Sequence, residues 1–126
     1  MNLILLPETY AIWKLPATAP LPQVAFFAAI RTADELSLVT EDALAPSGVP
    51  CERGWRALKV AGPLDFSLTG ILAAIAVPLA AAKIPIFALS TFDTDYVLVK
   101  EIQLTAAVAA LESAGHVVGA AERSVA

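Results

Sequence analysis

The chain has 126 residues, with 8 basic and 12 acidic side chains, a formal net charge of −4, and 58% hydrophobic residues. That length makes one ordinary domain or two very small ones. The acidic balance, with Lys and Arg scattered along the chain, excludes a nucleic-acid footprint, which needs clustered cations.

Leu3–Leu6 reads as a short strand stopped by Pro7, and Tyr10–Lys14 as a second strand bounded by Leu15-Pro16. The opening residues lack a basic segment and a long apolar core, so no signal peptide is expected. Pro16 to Pro22 holds three prolines and is extended or a single turn. Val24–Arg31 is a strand, Thr32-Ala33-Asp34 a turn, and Glu35–Thr40 the return strand. Pro46–Gly54 is loop and marks the boundary between a first part, residues 1–54, and a second, residues 55–126. Cys51, the one cysteine, falls in that loop; it excludes an internal disulfide and fits a reducing cytoplasm.

In the second part a strand, Arg56–Ala61, runs into Gly62-Pro63 and then a helix over about Leu68–Lys83. Leu68, Ile71, Leu72, Ile75, Leu79 and Ala82 form its apolar face; Ala73, Ala76, Val77, Ala80 and Ala81 form a small-residue face. Pro78 removes one backbone bond from this helix, and something must repair it. Leu68 to Leu89 is long enough to span a bilayer, but Pro78, Lys83 and Pro85 interrupt it, so no membrane span is expected. Ile86–Phe92 is a strand, Asp93-Thr94 a turn, and Asp95–Glu101 the return strand. Gln103–Ala114 is a helix with Gly115 in its C′ position, and His116–Gly119 a last strand. The order β-α-β-β-α-β is the ferredoxin-like motif. Phe26–Glu41 laid on Ile86–Glu101, sixty positions apart, pairs Phe27 with Phe87, Leu38 with Leu98 and Glu35 with Asp95. This indicates a duplicated hairpin.

The Asp65–Gly70 loop leaves backbone N–H groups that favour a carboxylate, and Asp65 or Ser67 alternatively serves as helix N-cap acceptor. Asp65, Asp93 or Asp95 can meet the ammonium of a zwitterion, although Asp is also favoured in turns for local reasons. Asp93-x-Asp95 lacks the glycine and distal glutamate of a calcium loop. His116 beside a helix end reads as a capping or partly buried residue, and Trp13 and Trp55 as core or interface anchors. No phosphate loop, zinc spacing or nucleophile elbow occurs, so no catalysis, metal or cofactor is expected.

Gly62–Ala73 followed by Ile86–Lys100, with Arg31–Val39 and Gly54–Val60, resembles the bacterial ACT-domain proteins of the CASTOR-like group over nearly the whole chain. The resemblance implies an α+β fold of two ferredoxin-like (βαββαβ) ACT units, the first degenerate, with antiparallel sheets and helices on one face. It also implies a small-molecule ligand, an amino acid by preference, bound by Asp65, Phe66, Ser67, Leu68, Thr69 and Gly70 and by Ser90, Thr91, Phe92, Asp93, Thr94 and Asp95. The similar eukaryotic CASTOR proteins sense arginine and carry twice as many ACT units per chain, so a homodimer is expected here. The other expectation for the same faces is a ligand-free interaction module that regulates a partner.

Overall fold

A computed structural model describes residues 1–62 and 69–120. They form an α+β fold with strands β1 (Asn2–Pro16), β2 (Ala28–Arg31), β3 (Glu35–Glu41), β4 (Cys51–Val60), β5 (Phe87–Ser90), β6 (Asp95–Lys100) and β7 (Val117–Ala120). The helices are α1 (Ile71–Ala81) and α2 (Leu104–Ser113), and single 3₁₀ turns follow β3 (Asp42–Leu44) and β6 (Glu101–Gln103). No described helix is long and apolar enough to cross a membrane.

The chain divides into two compact units, Met1–Pro7 with Arg56–Ala126 and Glu8–Trp55, so β1 and β4 each contribute to both. In the larger unit the second half keeps the expected order β4-α1-β5-β6-α2-β7. β7 pairs in parallel with Asn2–Leu5 of β1, and β5 pairs antiparallel with β6. Leu3, Leu58, Val60, Val97 and Val99 from the strands pack against Ile75 and Leu79 of α1 and Ala107 and Leu111 of α2. In the smaller unit β3 lies between β1 and β2, antiparallel to both, over a core of Ala11, Trp13, Leu36 and Leu38. The Trp13 indole N–H donates to Thr40 Oγ1 at 3.0 Å, which satisfies it in that core.

Three boundaries differ from expectation for physical reasons. Pro7 lies inside one long strand and does not end it. On that edge of β1, β7 takes Asn2–Leu5 and β3 takes Tyr10–Pro16, so the missing N–H breaks neither ladder. Cys51 starts β4 and is not loop. α1 begins at Ile71, with Gly70 in left-handed backbone (φ 75°) as N-cap and no side-chain cap bond. Asp65 and Ser67, expected as cap acceptors, lie outside the described residues.

The two hairpins repeat the same turn bonds, in a frame of fifty-nine positions and not the expected sixty. Thr32 N donates to the Glu35 carbonyl at 2.9 Å, as Thr91 N donates to the Thr94 carbonyl at 2.8 Å. Glu35 N donates to Thr32 Oγ1 at 3.2 Å, as Thr94 N donates to Thr91 Oγ1 at 3.3 Å. The closing pairs Arg31↔Leu36 and Ser90↔Asp95, and the two 3₁₀ turns, keep the same spacing. A one-residue slip exchanges the faces of a strand. Apolar identities alone are too abundant here to detect it.

Both helices end in Schellman motifs. In α2, His116 N donates to Leu111 O at 3.0 Å and Gly115 N to Glu112 O at 3.0 Å, with Gly115 at φ 96°, as its C′ placement requires. In α1, Ile84 N donates to Leu79 O at 3.0 Å and Lys83 N to Ala80 O at 2.9 Å, but the left-handed residue is Lys83 (φ 60°). The α2 motif also aims the His116 ring at α1. Its Nε2 lies 2.8 Å from the Ala74 carbonyl, the acceptor that the missing Pro78 N–H would have used. A carbonyl only accepts, so Nε2 carries the proton. Nδ1 then faces the Met1 amino group at 3.0 Å.

His116→Ala is expected to destabilise the protein by about 1 kcal/mol, measured by urea unfolding. In a Pro78→Ala background, where a backbone N–H reaches Ala74 O, that cost should shrink; an unchanged cost in the double-mutant cycle would refute the repair. Lys83→Gly should raise stability by about 1 kcal/mol through relief of the left-handed strain, read as a higher denaturation midpoint at constant slope.

Candidate functional site

The β5–β6 turn is built by its threonines. Besides the backbone bond, Thr91 Oγ1 donates to the Thr94 carbonyl at 3.1 Å, which fixes the turn from Thr91 to Thr94. At its base Ser90 Oγ donates to Asp95 Oδ1 at 2.6 Å. Thr94, 4% exposed, donates its hydroxyl proton to the Val60 carbonyl at 2.7 Å. That bond ties the turn to the end of β4, where the chain leaves through Gly62.

Between these two anchors lies a cleft of about 220 Å³ lined by Lys59, Gly62, Thr91, Asp93, Thr94 and Tyr96. It is smaller than the about 300–1,000 Å³ of drug-sized pockets, which suits a ligand of amino-acid size. Lys59 brings an ammonium and Asp93 a carboxylate to one small volume, with hydroxyls from Thr91 and Tyr96. The ion pairs found among the described residues, Arg53–Asp42 at 2.8 Å and Arg56–Glu101 at 3.8 Å, use neither. The cleft therefore presents charges of both signs, the pattern that a zwitterion complements. Among the described residues no three His, Cys, Asp or Glu side chains gather as a metal site.

Of the residues expected at a ligand, Thr91, Asp93 and Thr94 share this cleft. The Thr94 hydroxyl is already committed to Val60. Ser90 and Asp95 bond to each other at the hairpin base, and Phe92 is 80% exposed at the tip. Thr69 and Gly70 are exposed at the entry to α1. Asp65, Phe66, Ser67 and Leu68 lie outside the described residues. Lys59, Gly62 and Tyr96 are additions. Lys59 had a visible signal, a lone cation between Leu58 and Val60, which are both core residues.

The smaller unit has a cleft assembled from similar parts. Lys14, Leu15, Pro16, Asp34, Glu35 and Pro50 line about 290 Å³. In the fifty-nine-residue frame Asp34 is the counterpart of Asp93, and again a strand lysine faces the turn acid. Prolines and Leu15 stand where the other cleft has hydroxyls and a glycine.

A family model described as ACT domain matches residues 51–113. A crystal structure of a protein from Agrobacterium tumefaciens superposes with a TM-score of 0.89 at 34% identity, covering 97% of this chain and 94% of that one. The human cytosolic arginine sensor for mTORC1 subunit 1 is 50% identical over 48 residues, which are 37% of this chain and 15% of the human protein. The chain thus matches only a small part of that curated relative's length. The regulatory subunit of aspartate kinase from Thermus flavus shares the fold, with a TM-score of 0.62 at 12% identity over 90% of this chain and 97% of that one.

Thr94→Val keeps the side-chain shape but strands the Val60 carbonyl, and is expected to cost about 1–3 kcal/mol. Asp93→Asn, on an exposed turn, should change stability by less than about 0.5 kcal/mol. Chemical denaturation of the two variants side by side checks this, and equal effects would contradict the anchoring role.

Proposed function

Because the chain belongs to the ACT domain family, we propose that it is a non-catalytic regulatory protein that binds a small metabolite, an amino acid, in the cleft of Lys59 and Asp93. The observation that carries this is the pairing of those two unlike charges in about 220 Å³ beside a turn locked to β4. Lys59 receives the ligand carboxylate, and Asp93 receives its ammonium. Thr91 and Tyr96 flank the ligand, and Asp65 to Gly70 take part in binding it. The names of an arginine sensor and an aspartate kinase regulatory subunit among the similar proteins support an amino acid over other metabolites.

The chain carries two ACT-like units in this reading, the second built on β4–β7 and the first a shortened copy. The doubled threonine turn supports that duplicated, CASTOR-like arrangement. The protein acts in the cytoplasm as a homodimer. Exposed apolar side chains on the larger unit, Val77 (65%), Phe92 (80%), Ile102 (93%) and Val117 (62%), favour a surface covered by a second copy. The same exposure favours a second reading, in which these faces regulate a partner protein without any ligand.

Thermal unfolding in the presence of each amino acid, arginine first, tests the proposal. A ligand at a hundred times its dissociation constant stabilises by about 2.7 kcal/mol. The resulting rise in melting temperature should vanish in Lys59→Ala, Asp93→Asn and Asp65→Ala, each still cooperatively folded. If no amino acid raises the melting temperature, the ligand reading fails and the partner reading stands.

A further inference from the structure

A third cleft, in the smaller unit, has a different chemistry. About 290 Å³ is lined by Glu8, Tyr10, Ala25, Phe26, Phe27 and Glu41. Tyr10 and Glu41 are directly opposed partners of the β1–β3 ladder, so the phenol and one carboxylate are set side by side by register. Tyr10 alternates with Ala11 and so points away from the Ala11–Trp13 core, yet it is 5% exposed. Phe27 covers it, with ring centroids 5.1 Å apart and planes tilted by 52°. The segment carrying both phenylalanines is pinned by Phe27 N donating to Val39 O at 2.7 Å. Phe26 remains 46% exposed. The Tyr10 hydroxyl leans toward Glu8 Oε2 at 3.4 Å.

Cations of the same unit are engaged elsewhere. Arg53 is held by Asp42 at 2.8 Å, Arg31 donates to the Ala17 carbonyl, and Lys14 lines the cleft beside Asp34. No ion pair among the described residues uses Glu8 or Glu41. Two carboxylates without a cation, set among three aromatic rings, repel anions and attract a positive group that also has apolar surface. A metal ion gains little from the rings, and no three His, Cys, Asp or Glu side chains gather here among the described residues. We propose that this cleft binds an organic cation, a guanidinium or primary alkylammonium group on a short apolar stem, with Glu8 and Glu41 on the charge and Phe26 and Phe27 against the stem. It stands on residues other than those of the Lys59–Asp93 cleft and requires no carboxylate on the ligand.

The probe is n-butylguanidinium, titrated into the full chain by calorimetry and followed in the ring resonances of Tyr10 and Phe27. Saturable binding that moves those resonances is expected, with none for the neutral isostere n-butylurea. Glu8→Gln and Glu41→Gln should each weaken binding by about tenfold, and Phe26→Ala should weaken it as well. Asp93→Asn, in the other cleft, should leave it unchanged. The proposal is overturned by absence of saturable binding, by equal binding of n-butylurea, by binding that survives the double Glu8→Gln, Glu41→Gln variant, or by loss of binding in Asp93→Asn. Failure here leaves the amino-acid reading intact, because that reading is scored on zwitterions and on Lys59.

Discussion

A buried hydrogen bond, added to the pairing of β4 with β6, closes the larger unit's cleft. β6 leaves the turn as a ladder partner of β4, and Thr94 extends that attachment into the turn that carries Asp93 by giving its proton to the Val60 carbonyl. Without this attachment as a whole, opposite charges on a hairpin tip and a strand end would be separate surface features, each screened by water and worth little. With it, they become two walls of one small volume. The turn's own threonine bonds, repeated in the smaller unit, show that the rigidity comes from turn chemistry and does not depend on burial of the acid.

The larger unit's core rests on a second polar device. α1 is almost wholly apolar and contains Pro78, whose ring pushes the Ala74 carbonyl out of its helical bond. A helix of that composition could have used an alanine there and kept its ladder. The histidine that meets Ala74 comes from the residue after the α2 C-cap glycine, so the end of one helix completes the middle of the other. One side chain therefore joins α1, the α2 terminus and the start of β1. That accounts for a histidine 8% exposed in a unit otherwise held by Leu, Ile, Val and Ala.

Much of this was legible in the residues. The β-α-β-β-α-β order of the second half follows from apolar periodicity and turn residues, and Gly115 could be placed at its C′ position because only glycine takes that backbone cheaply. The hairpin residues of the candidate cleft were visible as Asp and Thr between two apolar runs. What escaped depends on partners distant in sequence. Pro7 looks like a stop unless it is known that two ladders leave a gap around it. Gly70 looks like loop until the helix starts after it. A sixty-residue frame matches as well as the fifty-nine-residue one on apolar identities, because Phe, Ala, Leu and Val recur so often; the Thr32 and Thr91 bonds, the closing pairs and the 3₁₀ turns break the tie. Lys59 and Tyr96 join the cleft across strands, and Glu8 meets Phe26 across a proline-rich stretch. No local pattern encodes such meetings.

The sharing of β1 and β4 between the two compact units has a consequence for how such a chain can be divided or evolve. Leu3, 2% exposed, belongs to the core made by the second half, although it is encoded more than fifty residues ahead of it. A break placed between the two hairpins would remove that leucine and leave β7 without the strand it pairs with. The two hairpins are therefore not beads on a string. The first residues of the chain supply a structural member to the unit built mostly by the second half, and recombination that exchanges that half must carry a matching opening strand with it.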